Sequence, residues 1–242
     1  MESNKSAQEV ITTIQSVASP EYAQKAQRYF KTAPGEYGEG DLFWGVRNPQ
    51  AREIAKKSIR LSLDQIDHLL AHQVHEVRLV GVLILVAQYQ KAKTDVEKAQ
   101  LFQFYCTQFH RINNWDLVDL SAYQIVGDYC YSNSTELLYK WVKSDHLWTR
   151  RIAVIACLYF IKRDQFVEIL DFCVSLRNDS EALMHKACGW MLRELGKRDE
   201  VLLRKFLNEW GTQLPRTTIR YAIERFEEEE RLQLLQKTKP ST

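Results

Sequence analysis

The strongest constraint in this sequence is a helix that recurs. Glu76-Val-Arg-Leu-Val-Gly-Val-Leu-Ile-Leu85, Thr149-Arg-Arg-Ile-Ala-Val-Ile-Ala156, His185-Lys-Ala-Cys-Gly-Trp-Met-Leu-Arg-Glu194 and Thr218-Ile-Arg-Tyr-Ala-Ile-Glu224 share a pattern. Each places a basic residue near the start and small residues about one turn later. Arg150 to Lys186 is 36 residues, Lys186 to Arg220 is 34, and Arg78 to Arg150 is 72, twice 36. The missing copy falls near Asn114-Trp-Asp-Leu-Val-Asp119. A period of about 35–40 residues with two helices per unit is the mark of a HEAT-like solenoid, in which each pair buries its apolar face against the next.

Punctuation agrees with an all-α chain. Ser19-Pro20-Glu21 and Asn48-Pro49 read as N-caps followed by Pro in the first turn. Ser62-x-x-Gln65, Thr94-x-x-Glu97 and Asn178-x-x-Glu181 read as capping boxes or close relatives. The spacing predicts eleven or twelve helices and no strand. Gly (9) and Pro (5) together are about 6% of 242 residues against a usual ~12%, which argues against a turn-rich β-barrel or sandwich. The expectation is an all-α fold: an α-solenoid of about six HEAT-like helix pairs with a concave basic groove. It forms a single domain over 1–242, with an N-terminal helix in 1–18 and a frayed tail over 236–242.

The longest strongly apolar run, Val80 to Ala87, is far short of the ~20 residues that span a bilayer. No basic stretch followed by an apolar core opens the sequence, so a secretory signal is not expected. Cys106, Cys130, Cys157, Cys173 and Cys188 are an odd, scattered set without a C-x-x-C pair. That disfavours zinc and a disulfide framework and points to a reducing, cytoplasmic compartment. The net charge of +2 announces no nucleic-acid partner by itself, so the distribution of charges must be read.

Three segments carry chemistry. Lys186, Trp190, Arg193 and Lys197 fall within roughly 60° on one helix face. They form either a phosphate-binding stripe with an aromatic platform or a tryptophan at the core edge among solvated cations. In the second segment Asn114 caps a helix, with Trp115 first and Asp116 second. The helix dipole accounts for Asp116. Asp119 lies beyond the first turn, on the face of Trp115, Ala122, Tyr123 and Val126, and needs either a cation or a task. Arg151, at the start of the next inner helix, is its natural partner. In the third, Arg52, Lys56 and Arg60 form an i, i+4, i+8 row after Arg47, suited to phosphate or simply to water. His68, His72 and His75 occupy i, i+4, i+7 but lack H-E-x-x-H or any completing ligand, so no metal is expected. Glu227 to Glu230 reads as a solvated charge block, and no Walker loop, G-x-G-x-x-G after a strand, or G-x-S-x-G occurs.

Arg28-Tyr-Phe-Lys31, Phe43-Trp-Gly-Val-Arg-Asn-Pro49, Asn114-Trp-Asp-Leu-Val-Asp119, Trp148-Thr-Arg-Arg-Ile-Ala153 and Gly189-Trp-Met-Leu-Arg193 occur in that order. Together they give a sequence that, over roughly 20–230, resembles the DNA alkylation repair family of HEAT-like DNA glycosylases (AlkD-like). The loop from Thr32 to Leu42 departs from the shorter form of that family's best-known members. The resemblance implies hydrolysis of the N-glycosidic bond of cationic alkylpurines, such as 3-methyladenine and 7-methylguanine, in double-stranded DNA, leaving an abasic site. It implies Asp119 as the catalytic carboxylate, Trp115 and Trp190 flanking the deoxyribose, and Arg151 beside them. It implies Tyr29 and Arg47 on the DNA backbone. Arg52, Arg150, Lys186 and Arg193 complete the expected DNA-binding set. No cofactor, metal or membrane partner is expected, and a monomer is the simplest state. Two other readings use the same fold: a non-catalytic DNA-binding paralogue, and a HEAT-like scaffold that binds a protein.

Overall fold

The computed structural model describes residues 6–239. The outer ends of the expected N-terminal helix (residues 1–5) and of the frayed tail (residues 240–242) lie outside the described residues. The chain divides into two compact units, with the division after Ser121.

The first unit contains α1 (Ala7–Ser16), α2 (Pro20–Tyr29), α3 (Asn48–Lys57), α4 (Leu63–Leu70), α5 (His75–Lys91), α6 (Asp95–Thr107) and most of α7 (Trp115–Ala122). Its spine is α5. From Leu79 to Val86 every side of this helix is buried, which is why its apolar residues run together instead of forming a stripe. Helices α1, α3, α4 and α6 pack around it. Truncating one of its fully buried leucines, such as Leu85, is worth about 2–5 kcal/mol.

In the second unit a π-helical turn, Tyr123–Gly127, continues α7 into α8 (Asp128–Ser132). Then follow α9 (Glu136–Trp141), α10 (Leu147–Ile161), α11 (Val167–Ser175), α12 (Ala182–Gly196), α13 (Glu200–Trp210), α14 (Arg216–Ala222) and α15 (Glu228–Lys237). Helix α10 packs on the π turn, α9, α11 and α12, and α12 packs on α10, α11, α13 and α14. The long helices therefore follow one another side by side, with shorter partners on them, as an α-solenoid of helix pairs requires.

Among the described residues there are fourteen continuous helices, more than the eleven or twelve expected, and no strand beyond an isolated bridge between Leu42 and Val74. None of those helices is long and apolar enough to cross a membrane.

Most expected caps are present. Ser19 and Ser62 accept from the N–H groups of Tyr22 and Gln65, and Thr94 and Glu97 cap each other reciprocally. Two are displaced. Helix α3 is capped from Arg47, whose N–H donates to Gln50, so Asn48 is already helical. Helix α12 starts after Glu181, because Asp179 accepts the Glu181 N–H and holds the preceding turn.

Candidate functional site

The first unit concentrates its buried polar chemistry at the start of α7. Asn114, fully buried, caps that helix through its side chain: Oδ1 accepts from the Trp115 N–H at 2.8 Å, while Nδ2 donates to Asp41 Oδ2 at 3.1 Å. Asp116 accepts the Leu117 N–H at 2.8 Å, as the dipole argument expects. Its other oxygen is bound by His75 Nε2, also at 2.8 Å. His75 Nδ1 lies 3.2 Å from Asp41 Oδ2, and Asp41 Oδ1 accepts from Arg78 Nη2 at 2.6 Å. Arg78 Nη1 donates to the His72 and Gln73 carbonyls, both at 3.1 Å.

This chain of contacts is buried, with His75 only 1% exposed. Burial alone would favour neutral imidazole. The Asp116 and Asp41 carboxylates outweigh it and raise the His75 pKa to about 9. Burial likewise pushes Asp41 upward, but the hydrogen bond from His75 and the Arg78 charge hold it below its ordinary value. Two carboxylates thus face two cations, and the cluster is neutral with imidazole charged. Next to it, Glu76 accepts the N–H groups of Trp44, Gly45 and Val46 at 3.1, 2.7 and 3.1 Å. Gly45 has φ +81° and approaches the Ser19 carbonyl so closely that a Cβ would overlap it, so the tight loop needs glycine there.

An aromatic pile covers the cluster. Phe43 stacks on His75 (4.7 Å between centroids, 22°) and on Phe30 (5.0 Å, 21°). Phe30 touches His75 at 4.9 Å and stacks on Trp115 (5.2 Å, 16°). Tyr29 meets the Trp115 ring edge-on at 5.7 Å and is 67% exposed. The half-buried Trp115 is therefore held by its neighbours on two sides. One turn later stands Asp119, also half-buried. Burial raises the Tyr105 pKa, and the Asp119 charge adds to that shift. The π turn begins four residues beyond Asp119 and widens the helix there, a distortion that is common at functional sites.

The remaining expected residues lie at the start of α3 and on α10 and α12. Arg47, Arg52 and Lys186 are exposed, and the Arg47 guanidinium lies 5.3 Å from the Tyr22 ring. In the second unit Arg150 donates to the Ser144 and Asp145 carbonyls and pairs with Asp179, whose side chain is 6% exposed. The buried Arg151 donates from Nη1 to the Leu183 carbonyl at 2.7 Å. Trp190 is half-buried, with Nε1 donating to Glu194 at 3.2 Å. Glu194 also takes Lys197 at 2.5 Å, and Arg193 is paired with Glu224. The cationic stripe of α12 is thus interleaved with acids.

Sequence reasoning brought Tyr29, Trp115 and Asp119 into consideration but missed Asp41, the bridging role of His75, and the backing rings Phe30 and Phe43. One signal was present. His-Glu-Val-Arg, residues 75–78, opens a helix that is otherwise apolar, and buried charges there require partners. The three histidines do not share a helix face: α4 ends at Leu70 and His75 opens α5. Both nitrogens of His75 face carboxylates, and the His72 ring takes the Val74 N–H.

A model of the DNA alkylation repair enzyme family matches residues 10–226. Among solved structures, the chain is similar to a predicted DNA alkylation repair enzyme from Enterococcus faecalis. That match has 19% identity and a TM-score of 0.68, covering 87% of this chain and 97% of that one. It is also similar to AlkD2 from Streptococcus mutans, with 18% identity and a TM-score of 0.50, covering 96% and 95%. At these identities the likeness is one of fold. No curated protein matches the sequence.

Proposed function

The chain belongs to the DNA alkylation repair enzyme family, and on that premise we propose that it is a monofunctional DNA glycosylase. It hydrolyses the N-glycosidic bond of cationic alkylated purines, 3-methyladenine and 7-methylguanine, in duplex DNA and leaves an abasic site. The observation that carries this reading is the face of α7. A tryptophan ring clamped by Phe30 and Tyr29 stands one turn before a half-buried carboxylate, beside an exposed tyrosine.

The chemistry suits a single carboxylate. Alkylation at N3 or N7 gives the purine a positive charge, so it departs as a neutral base and needs no general acid, unlike the sugar substrates of ordinary glycosidases. The charge then develops on the deoxyribose. Asp119 would stabilise that oxocarbenium-like state and orient water. The Trp115 face adds cation–π attraction of about 0.5–2 kcal/mol. Trp190 and Arg151 are assigned to the sugar and its surroundings by the family resemblance. Exposed Arg47, Arg52 and Lys186 supply phosphate contacts, with Tyr29 at the backbone. No lysine is assigned as a Schiff-base nucleophile. Five free thiols, four of them buried, suit a reducing cytoplasm.

The test is incubation with methylated duplex DNA and identification of the released base. Asp119→Asn should abolish release while largely preserving duplex binding. Undiminished release by that variant refutes the catalytic assignment. Duplex binding without release by the unaltered protein would instead favour a non-catalytic DNA-binding protein.

A further inference from the structure

We propose that His75 is a positioning residue: by bridging Asp41 and Asp116 it fixes the start of α7, and with it the ring of Trp115. The role of Trp115 in catalysis rests on the function proposed above, whereas the bridge and its effect on the ring do not.

Trp115 and Asp116 are adjacent, so whatever holds the Asp116 carboxylate holds the backbone from which the indole projects. His75 Nε2 does so at 2.8 Å. The same Asp41 oxygen that faces His75 Nδ1 also takes the Asn114 amide, on the other side of Trp115. The peptide that carries the indole is therefore anchored by both neighbours to one buried cluster. Phe30 supplies a second route, since its ring contacts the imidazole at 4.9 Å and stacks on the indole at 5.2 Å.

The bridge needs two N–H donors. Only imidazolium has them, because neutral imidazole donates from one nitrogen and accepts at the other. The charged groups that face His75 are Asp41 from the loop before α3, Asp116 from α7 and Arg78 from α5 itself. The segment following α2 faces it with the Phe30 ring. Losing the proton breaks one side of the bridge and leaves the cluster with net negative charge. The His75 pKa of about 9 sets where this happens. Below it the bridge is complete and the indole is fixed; above it the imidazole donates to only one of its two carboxylates, and the start of α7 is held less firmly.

The experiment reads Trp115 directly. Tryptophan emission of the full chain is recorded from pH 6 to 10.5, and the Trp115→Phe curve is subtracted to isolate that ring. The difference should show a step centred near pH 9. His75→Gln should remove the step, and Asp116→Asn should move it to lower pH. No step between pH 8 and 10 in the native chain, or an unmoved step in Asp116→Asn, overturns the proposal even if His75→Gln fails to fold. A parallel single-turnover assay on methylated duplex adds a second readout. Base release should fall above pH 9 in the native chain. In His75→Gln it should be about tenfold to 100-fold lower at pH 7.5 and lack that alkaline limb. A fluorescence step without any base release would retain the bridge and refute only the glycosylase reading. Superimposable native and His75→Gln profiles would refute the bridge.

Discussion

Arg78 and Arg150, in different units of the chain, use their guanidinium groups in the same way. Nη1 of Arg78 donates to the carbonyls six and five residues earlier, His72 and Gln73, and Nη1 of Arg150 does the same to Ser144 and Asp145. The other side of each guanidinium meets a buried carboxylate. Arg78 Nη2 donates to Asp41 at 2.6 Å, and Arg150 Nη2 to Asp179 at 3.3 Å, with Nε in ion-pair contact at 2.8 Å. Each arginine thus ties the turn that precedes its helix to an acid from a neighbouring segment. Removing one takes the cation from a desolvated acid, which keeps only its neutral donors, and takes the shared donor from two carbonyls, so Arg150→Ala should cost about 3–5 kcal/mol of stability. The double substitution Arg150→Met with Asp179→Leu should recover only part of that loss: an apolar pair needs no desolvated charge, but the Glu181 N–H loses the Asp179 oxygen that accepts it. Denaturant midpoints of the three proteins check both statements. A loss below about 1 kcal/mol in Arg150→Ala would mean the pair is only a surface ion pair.

The small residues that follow these basic positions set how closely helices approach. A Cβ on Gly189 would lie 2.5 Å from Tyr221 Cβ and 2.6 Å from the Thr218 carbonyl oxygen, so α12 and α14 would have to separate. A Cβ on Gly81 would meet Leu69 and Leu70 side-chain atoms at 3.1 Å, which can give way. Gly189→Ala should therefore destabilise by about 1–3 kcal/mol, and Gly81→Ala by less. Thermal melts of the two variants rank them, and the reverse order would contradict the packing argument.

The positions of these arginines and glycines were legible because they recur, but the acids that the arginines meet were not. The spacing of Arg78, Arg150 and Lys186, and the glycine or alanine a turn later, is a periodic signal that one sequence can display. The cluster around His75 had no such signal. Asp41 is separated from His75 by 34 residues and from Asn114 by 73, and nothing in local spacing joins them. Asp116 misled for a different reason: the helix dipole explains its position correctly and still leaves one carboxylate oxygen for His75. The α12 stripe rests in sequence on three cations and Trp190, whereas Glu224, which pairs with Arg193, comes from 31 residues away.

His75 also makes stability depend on pH. Its pKa is raised from 6.5 to about 9 in the folded chain. Folded protein therefore keeps a proton that unfolded protein releases as the pH rises between those values. The stabilisation is full below about 6.5, falls steadily up to about 9 and is absent above. The native chain should lose stability across that window, and His75→Gln should not show that component. The difference between their denaturation midpoints at pH 6.5 and pH 9 is the measurement. Equal pH dependence of the two proteins would mean that imidazole is neutral in the fold.

Charge contacts to DNA should separate exposed cations from those engaged inside the protein. Each phosphate neutralised by a side chain releases condensed counterions, so losing one such contact lowers the slope of log K against log[salt] by about 0.9 on duplex DNA. Lys186 and Arg52 are exposed on α12 and α3. Lys186→Ala and Arg52→Ala should each weaken duplex binding in a sequence-independent way and reduce that slope by about one. Base release from the saturated complex should be unchanged, because neither side chain is assigned to the sugar. Arg193 makes a sharper case, since its guanidinium is paired with Glu224. If the pair persists on DNA, Arg193→Ala exposes an unpaired carboxylate and weakens binding without a full unit change in slope. If Arg193 exchanges Glu224 for a phosphate, its slope change equals that of Lys186→Ala, and Glu224→Gln tightens binding by freeing the arginine. Titrations of the four variants at several salt concentrations decide between these outcomes. Unchanged slopes in both Lys186→Ala and Arg52→Ala would remove α12 and α3 from the DNA-binding surface.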